Sequence, residues 1–130
     1  MSPRTAEHDQ YDEYVTGQVA RVERRERMRQ VRLTRLRTAA RAAAEALRDR
    51  YGEGITVYMF GSVADEGRFR LDSDLDLAVT GVEPERYYEA WSIAEAAARA
   101  AGSDCVDLVA LDDAPAWLVE EIVSRGVELG

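Results

Sequence analysis

The sequence predicts a single α/β (α+β) domain preceded by a long N-terminal helix, on three observations. Residues 11–50 contain no proline and only Gly17 as a weak point, so nothing there ends a helix. Short apolar or alternating runs follow at 55–60, 74–79 and 105–111, with the length and period of strands. Between and after these runs, residues 84–101 and 115–125 carry helix start and stop signals. A chain of 130 residues suits one domain with a core of its own.

Residues 1–10 read as a loose polar tail, which holds the only histidine, His8, and removes it from acid–base chemistry. In the helix that follows, Leu33, Leu36, Ala40, Ala43 and Leu47 recur at helical spacing and should lie on a sheet. Residues 21–32 are nearly all charged, with Val22, Met28 and Val31 as sparse apolar points. Three roles remain open for this Arg-rich arm: a solvated helix steadied by pairs such as Glu23 with Arg27, a partner-binding or dimerising arm, or an RNA contact. The organisation expected is an arm over 1–32 and a compact domain over 33–130.

Gly52-Glu53-Gly54 breaks the helix and delivers the first strand, 55–60, which ends at Gly61-Ser62. A strand end of this kind lets backbone N–H groups and a hydroxyl approach a polyanion. In the second strand, residues two apart share a face, so Asp74 and Asp76 point one way and Leu75, Leu77 and Val79 the other. Two carboxylates on one face repel unless a cation lies between them or one keeps its proton. Magnesium suits such a pair, because it takes hard oxygen ligands and bridges protein carboxylates to substrate phosphates.

Thr80-Gly81 ends the second strand, and Pro84 suits the first turn of a helix reaching Ala101 and stopped by Gly102. Its inward stripe is Tyr87, Trp91, Ala94, Ala98 and Ala101, with Trp91 read as core. In the third strand Asp107 opposes Val106, Leu108 and Ala110 across the strand, and Cys105 reads as a small buried thiol. Asp113 is expected to cap the last helix with Pro115 in its first turn, and residues 127–129 to add a short edge strand. Aspartates at a sheet edge can serve only to discourage edge pairing. Two at i and i+2 after a Gly-Ser turn, with a third on a later strand, favour a shared cation.

The string Phe60-Gly61-Ser62, a short turn, then Ser73-Asp74-Leu75-Asp76-Leu77-Ala78-Val79 and the later Asp107 resemble the signature of the nucleotidyltransferase superfamily that includes DNA polymerase β. More narrowly they resemble its minimal nucleotidyltransferase (MNT) family, some members of which are antitoxins paired with HEPN ribonuclease toxins. The resemblance implies a nucleotidyltransferase fold: a small mixed β-sheet with helices packed on one face and a carboxylate-lined active-site face. It further implies that Asp74, Asp76 and Asp107 are catalytic and hold two Mg²⁺ ions, with ATP as donor and Gly61 and Ser62 cradling its phosphates. Eleven residues separate Ser62 from Asp74, one more than the family's usual form, and Ala64-Asp65-Glu66-Gly67 stands where Ala-Arg-Gly is expected. Arg68 or Arg70 would then replace the missing phosphate-binding Arg.

Charge narrows the substrate. All seventeen basic residues are Arg, so no lysine can act as nucleophile or ligand. Residues 1–50 carry twelve Arg against eight acids, and residues 51–130 five against seventeen, or +4 against −12. An acidic body disfavours a nucleic-acid substrate. No apolar run approaches membrane-spanning length and no signal core opens the chain, so a cytoplasmic, non-membrane protein is expected. The resemblance implies transfer of AMP to a hydroxyl of a partner protein, a HEPN-type toxin; separately, the Arg-rich arm leaves a homo-oligomer through the N-terminal helix as a further option. A catalytically weak module that neutralises its partner by binding is the alternative class. A small-molecule acceptor is disfavoured, because too few residues follow the third strand to build a pocket.

Overall fold

A computed structural model describes the backbone of residues 3–130 and the side chains of residues 9–130. His8 therefore lies outside the described side chains. Helix α1 spans Pro3–Tyr51, β1 Thr56–Phe60, β2 Leu75–Thr80, α2 Tyr87–Ala100, β3 Val106–Ala110, α3 Ala116–Arg125 and β4 Val127–Leu129. The expected tail is thus helical from Pro3, where proline fits a first turn and nothing interrupts the helix afterwards. At about 1.5 Å per residue α1 is roughly 70 Å long. Gly52, at φ 85°, ends it.

The sheet is mixed, in the order β3-β2-β1-β4. β1 pairs antiparallel with β2 and with β4, and β2 pairs parallel with β3, the crossover being α2. Odd-numbered β1 and β2 residues and even-numbered β3 residues face the main core, where Val57, Leu75, Leu77 and Leu108 meet Leu33, Leu36, Ala40, Ala43 and Leu47 of α1. Fully burying a leucine such as Leu36 or Leu47 contributes about 1.5–3 kcal/mol, so the second half of α1 is integral to the domain. In α2 the buried residues are Ala90, Ala94 and Ala98; Tyr87 and Trp91 pack at their margin and donate to the Leu108 and Val106 carbonyls.

The opposite sheet face carries the carboxylates at one end, and α3 covers the rest through Ile122 against Ala78 and Leu111, with Tyr58, Phe60 and Val109 around them. Helices α1 and α2 pack on one face as expected, and α3 adds cover to the other. Two local expectations are corrected. Asp113 does not cap α3: it ends the 3₁₀ turn Leu111–Asp113, and Pro115 occupies the cap position with no side-chain hydrogen bond. Its neighbour Asp112 instead accepts from the Gly81 N–H at 2.9 Å. Cys105 is exposed, because it precedes β3. Its thiol is held above its ordinary range by desolvation, then by Asp74 and Asp107, which disfavours a reactive thiolate.

Candidate active site

Parallel pairing sets Asp76 opposite Asp107, and antiparallel pairing sets it opposite Phe60, the residue before Gly61. The turn and both strands therefore deliver Gly61, Asp74, Asp76 and Asp107 to one end of one sheet face. Gly61 has φ 72°, and a Cβ there would come within 2.5 Å of Asp76 Oδ2. Only glycine allows this conformation and this approach together. Gly61→Ala should cost about 1–3 kcal/mol in stability and displace the Asp76 carboxylate, so divalent-cation binding should fall further than the melting temperature alone explains.

Asp76 is half-buried, while Asp74 and Asp107 are exposed. Burial first, then the charges of Asp107 and Asp74, raise the Asp76 pKa to about 6. The native state thus holds a proton that the unfolded state releases nearer 3.8. By linkage this stabilisation is present below about 3.8 and is lost as pH rises through about 6. The melting temperature of the metal-free protein, measured against that of Asp76→Asn, should therefore fall across that window. Affinity for a divalent cation should rise over the same interval, because an ionised carboxylate is the better oxygen donor.

Mutually repelling hard oxygen donors fit a divalent cation. Among the described residues no three His, Cys, Asp or Glu side chains are close enough to enclose a metal by themselves. That suits magnesium, which uses one or two carboxylates and completes its octahedron with water and phosphate oxygens.

Beside Gly61 a cleft of about 670 Å³ opens between the turn and α3. Arg37, Arg68 and Arg125 line it, with Asp65, Glu66 and Glu121 as the opposing charges. Arg68 therefore lies in the same cleft as Gly61. Arg70 does not: it lines a separate groove with Val22, Arg25 and Arg29 of α1. Ser62 sits in the 3₁₀ turn Gly61–Ala64, and the Asp65 N–H donates to its carbonyl at 3.1 Å. Arg37 and Arg125 went unread in the sequence; one lies beside the buried stripe of α1 and the other in the last turn of α3, with no local motif to mark either.

The loop from Val63 to Ser73 is held by α1. Arg29 donates to the Glu66 carbonyl at 2.9 Å and that of Phe69 at 3.4 Å, Arg32 to that of Ser73 at 2.8 Å, and Arg37 to that of Val63 at 3.1 Å. Gln30 donates to the Glu66 carboxylate, and Asp65 accepts from the Gly67 N–H. Val63 and Phe69 anchor the loop in the core. The acids that replace the family's expected Ala-Arg-Gly thus have local partners, and the longer loop is ordered by arginines of the preceding helix.

A mixed sheet that gathers three carboxylates beside a glycine turn and a basic-edged cleft is the arrangement of a nucleotidyltransferase. Residues 43–129 match the family described as Polymerase beta, Nucleotidyltransferase, and the chain belongs to it. It is 35% identical over 83 residues, 64% of this chain, to the protein adenylyltransferase MntA of Shewanella oneidensis, and spans 58% of that protein's length. Among solved structures, a toxin–antitoxin crystal structure with AMP-PNP is similar at 30% identity and TM-score 0.55, over 69% of this chain and 72% of the other. Tri-AMPylated Shewanella oneidensis HEPN toxin in complex with MNT antitoxin is similar at 28% identity and TM-score 0.53, over 73% and 71%. No helix among the described residues is long and apolar enough to cross a membrane.

Proposed function

We propose that this protein is a magnesium-dependent nucleotidyltransferase that moves AMP from ATP to a hydroxyl of a partner protein, a HEPN-type toxin, as a cytoplasmic antitoxin. The observation that carries this is the convergence of Asp74, Asp76 and Asp107 on the sheet end that Gly61 leaves open. MntA, the relative named as a protein adenylyltransferase, supports the protein acceptor.

Asp74, Asp76 and Asp107 would hold two Mg²⁺ ions, which when bound stabilise the attacking and leaving oxygens of an in-line displacement. Gly61 and Ser62 orient the distal phosphates, and Arg68 meets their charge from the cleft. Asp107 would take the proton of the acceptor hydroxyl, a role supported by its exposure and its pairing opposite Asp76. The bond from the acceptor oxygen to the α-phosphorus forms, the bond to the bridging oxygen breaks, and pyrophosphate leaves.

Calorimetric titration with a non-hydrolysable ATP analogue, with and without magnesium, tests the site. Binding should require magnesium, and Arg68→Ala should weaken it roughly tenfold, the effect of losing a charged hydrogen bond. Arg70→Ala should leave it unchanged, because that side chain faces the other groove. Magnesium-independent binding, or a loss with Arg70 but not Arg68, would refute this placement of the phosphates.

A further inference from the structure

Before the family-matched residues 43–129, the middle of α1 carries a surface that the carboxylate site does not use. Arg24, Arg27, Arg32 and Arg35 line a groove of about 390 Å³ whose floor includes Met28 and Val31. Leu71, from the loop before β2, overhangs it, and no carboxylate lines it. The three apolar side chains remain 53%, 58% and 38% exposed for Met28, Val31 and Leu71. Among the described residues Arg24, Arg27 and Arg35 form no ion pair, although acids outnumber bases in the whole chain by twenty-five to seventeen. Unpaired cations around an exposed apolar floor fit a partner that brings both carboxylates and apolar side chains.

The groove also borders the end of the sheet at which β2 and β3 begin. Arg32, in its wall, donates to the Ser73 carbonyl at 2.8 Å, and Ser73 precedes Asp74. Its guanidinium also lies 3.8 Å from Asp104, just before β3. The triphosphate cleft opens on the other side of the carboxylates, against α3 and Gly126 before β4. A segment lying in the groove would thus reach the carboxylates from the side opposite the donor.

From this juxtaposition we infer that the α1 groove docks an acidic, apolar segment of the acceptor protein and presents its hydroxyl to Asp74 and Asp107. This rests on the protein-acceptor function proposed above and adds the surface that selects the acceptor. A nucleic acid could answer the arginines, but it would lie against a body of net charge −12 over residues 51–130 and leave the apolar floor less well matched.

A random copolymer of glutamate and tyrosine serves as the probe, with a lysine–tyrosine copolymer as control. Fluorescence anisotropy with the full chain, without nucleotide, should show binding of the acidic copolymer only, and R24E/R27E should weaken it at least tenfold. Both residues are exposed, so thermal melting should be unchanged, as should magnesium-dependent binding of the ATP analogue. Leu71→Ser should weaken copolymer binding without altering charge. Equal binding of the two copolymers, or no loss in R24E/R27E, would overturn the inference. So would tighter binding of a single-stranded oligonucleotide lost in R24E/R27E, or a dimer in sedimentation that the same reversal dissolves. Copolymer binding that R24E/R27E abolishes, with no magnesium-dependent binding of the ATP analogue by the full chain, would keep the groove and refute the nucleotidyltransferase function.

Discussion

Replacing Asp76 with asparagine will lower nucleotidyl transfer by on the order of 10³-fold, the scale of losing a preorganised electrostatic group at a reaction centre, while raising the melting temperature of the metal-free protein at neutral pH. The two effects share one cause. Asp76 is half-buried between Asp74 and Asp107, and its ionised form is disfavoured by burial and by both neighbours until a cation arrives. Asp74→Ala and Asp107→Ala should also abolish transfer, with smaller gains in stability because both carboxylates are exposed. A marked fall in melting temperature for all three variants without metal would identify these acids as structural.

Removing residues 1–20 will leave the domain folded and its nucleotide affinity intact, whereas removing residues 1–32 will loosen the loop beside the site. Arg29 and Arg32 together supply three hydrogen bonds to carbonyls of the loop between Glu66 and Ser73. The bonds to the Phe69 and Ser73 carbonyls are partly buried, and the one to the Glu66 carbonyl is exposed. R29A/R32A should lower the melting temperature, because carbonyls of Glu66, Phe69 and Ser73 lose their side-chain donors. Hydrogen exchange should rise first in residues 63–73 and not in β1 or β2. A full-length R29A/R32A protein with unchanged exchange there would show that the loop holds itself.

Much of this was legible in the sequence, for physical reasons that differ by element. The strands were readable because alternation alone decides which side chains meet the core: Leu75, Leu77 and Val79 are buried, and Asp76 faces the other way. The stripe from Leu33 to Leu47 was readable because helical spacing and burial coincide. Asp113 misled because an Asp before Ala-Pro has the composition of a cap, yet the chain makes a 3₁₀ turn there and Asp112 pairs with a distant N–H instead. Cys105 misled because the strand starts one residue later. The arginine contacts of α1 were not readable at all: Arg29 and Arg32 meet carbonyls about forty residues away, at separations of 37, 40 and 41, and no periodicity encodes such a pairing. Arg68 and Arg70 looked equivalent as loop residues two apart, and only the folded loop, anchored by Phe69 between them, turns one into the cleft and the other toward α1.

Intact-mass spectrometry of a HEPN-type partner, incubated with the full chain, ATP and magnesium, tests adenylyl transfer most directly. The expected result is a mass gain of one or more adenylates on the partner, absent with chelator and absent with Asp76→Asn. A partner that forms the complex and stays unmodified, while the chain binds the ATP analogue with magnesium, would contradict it.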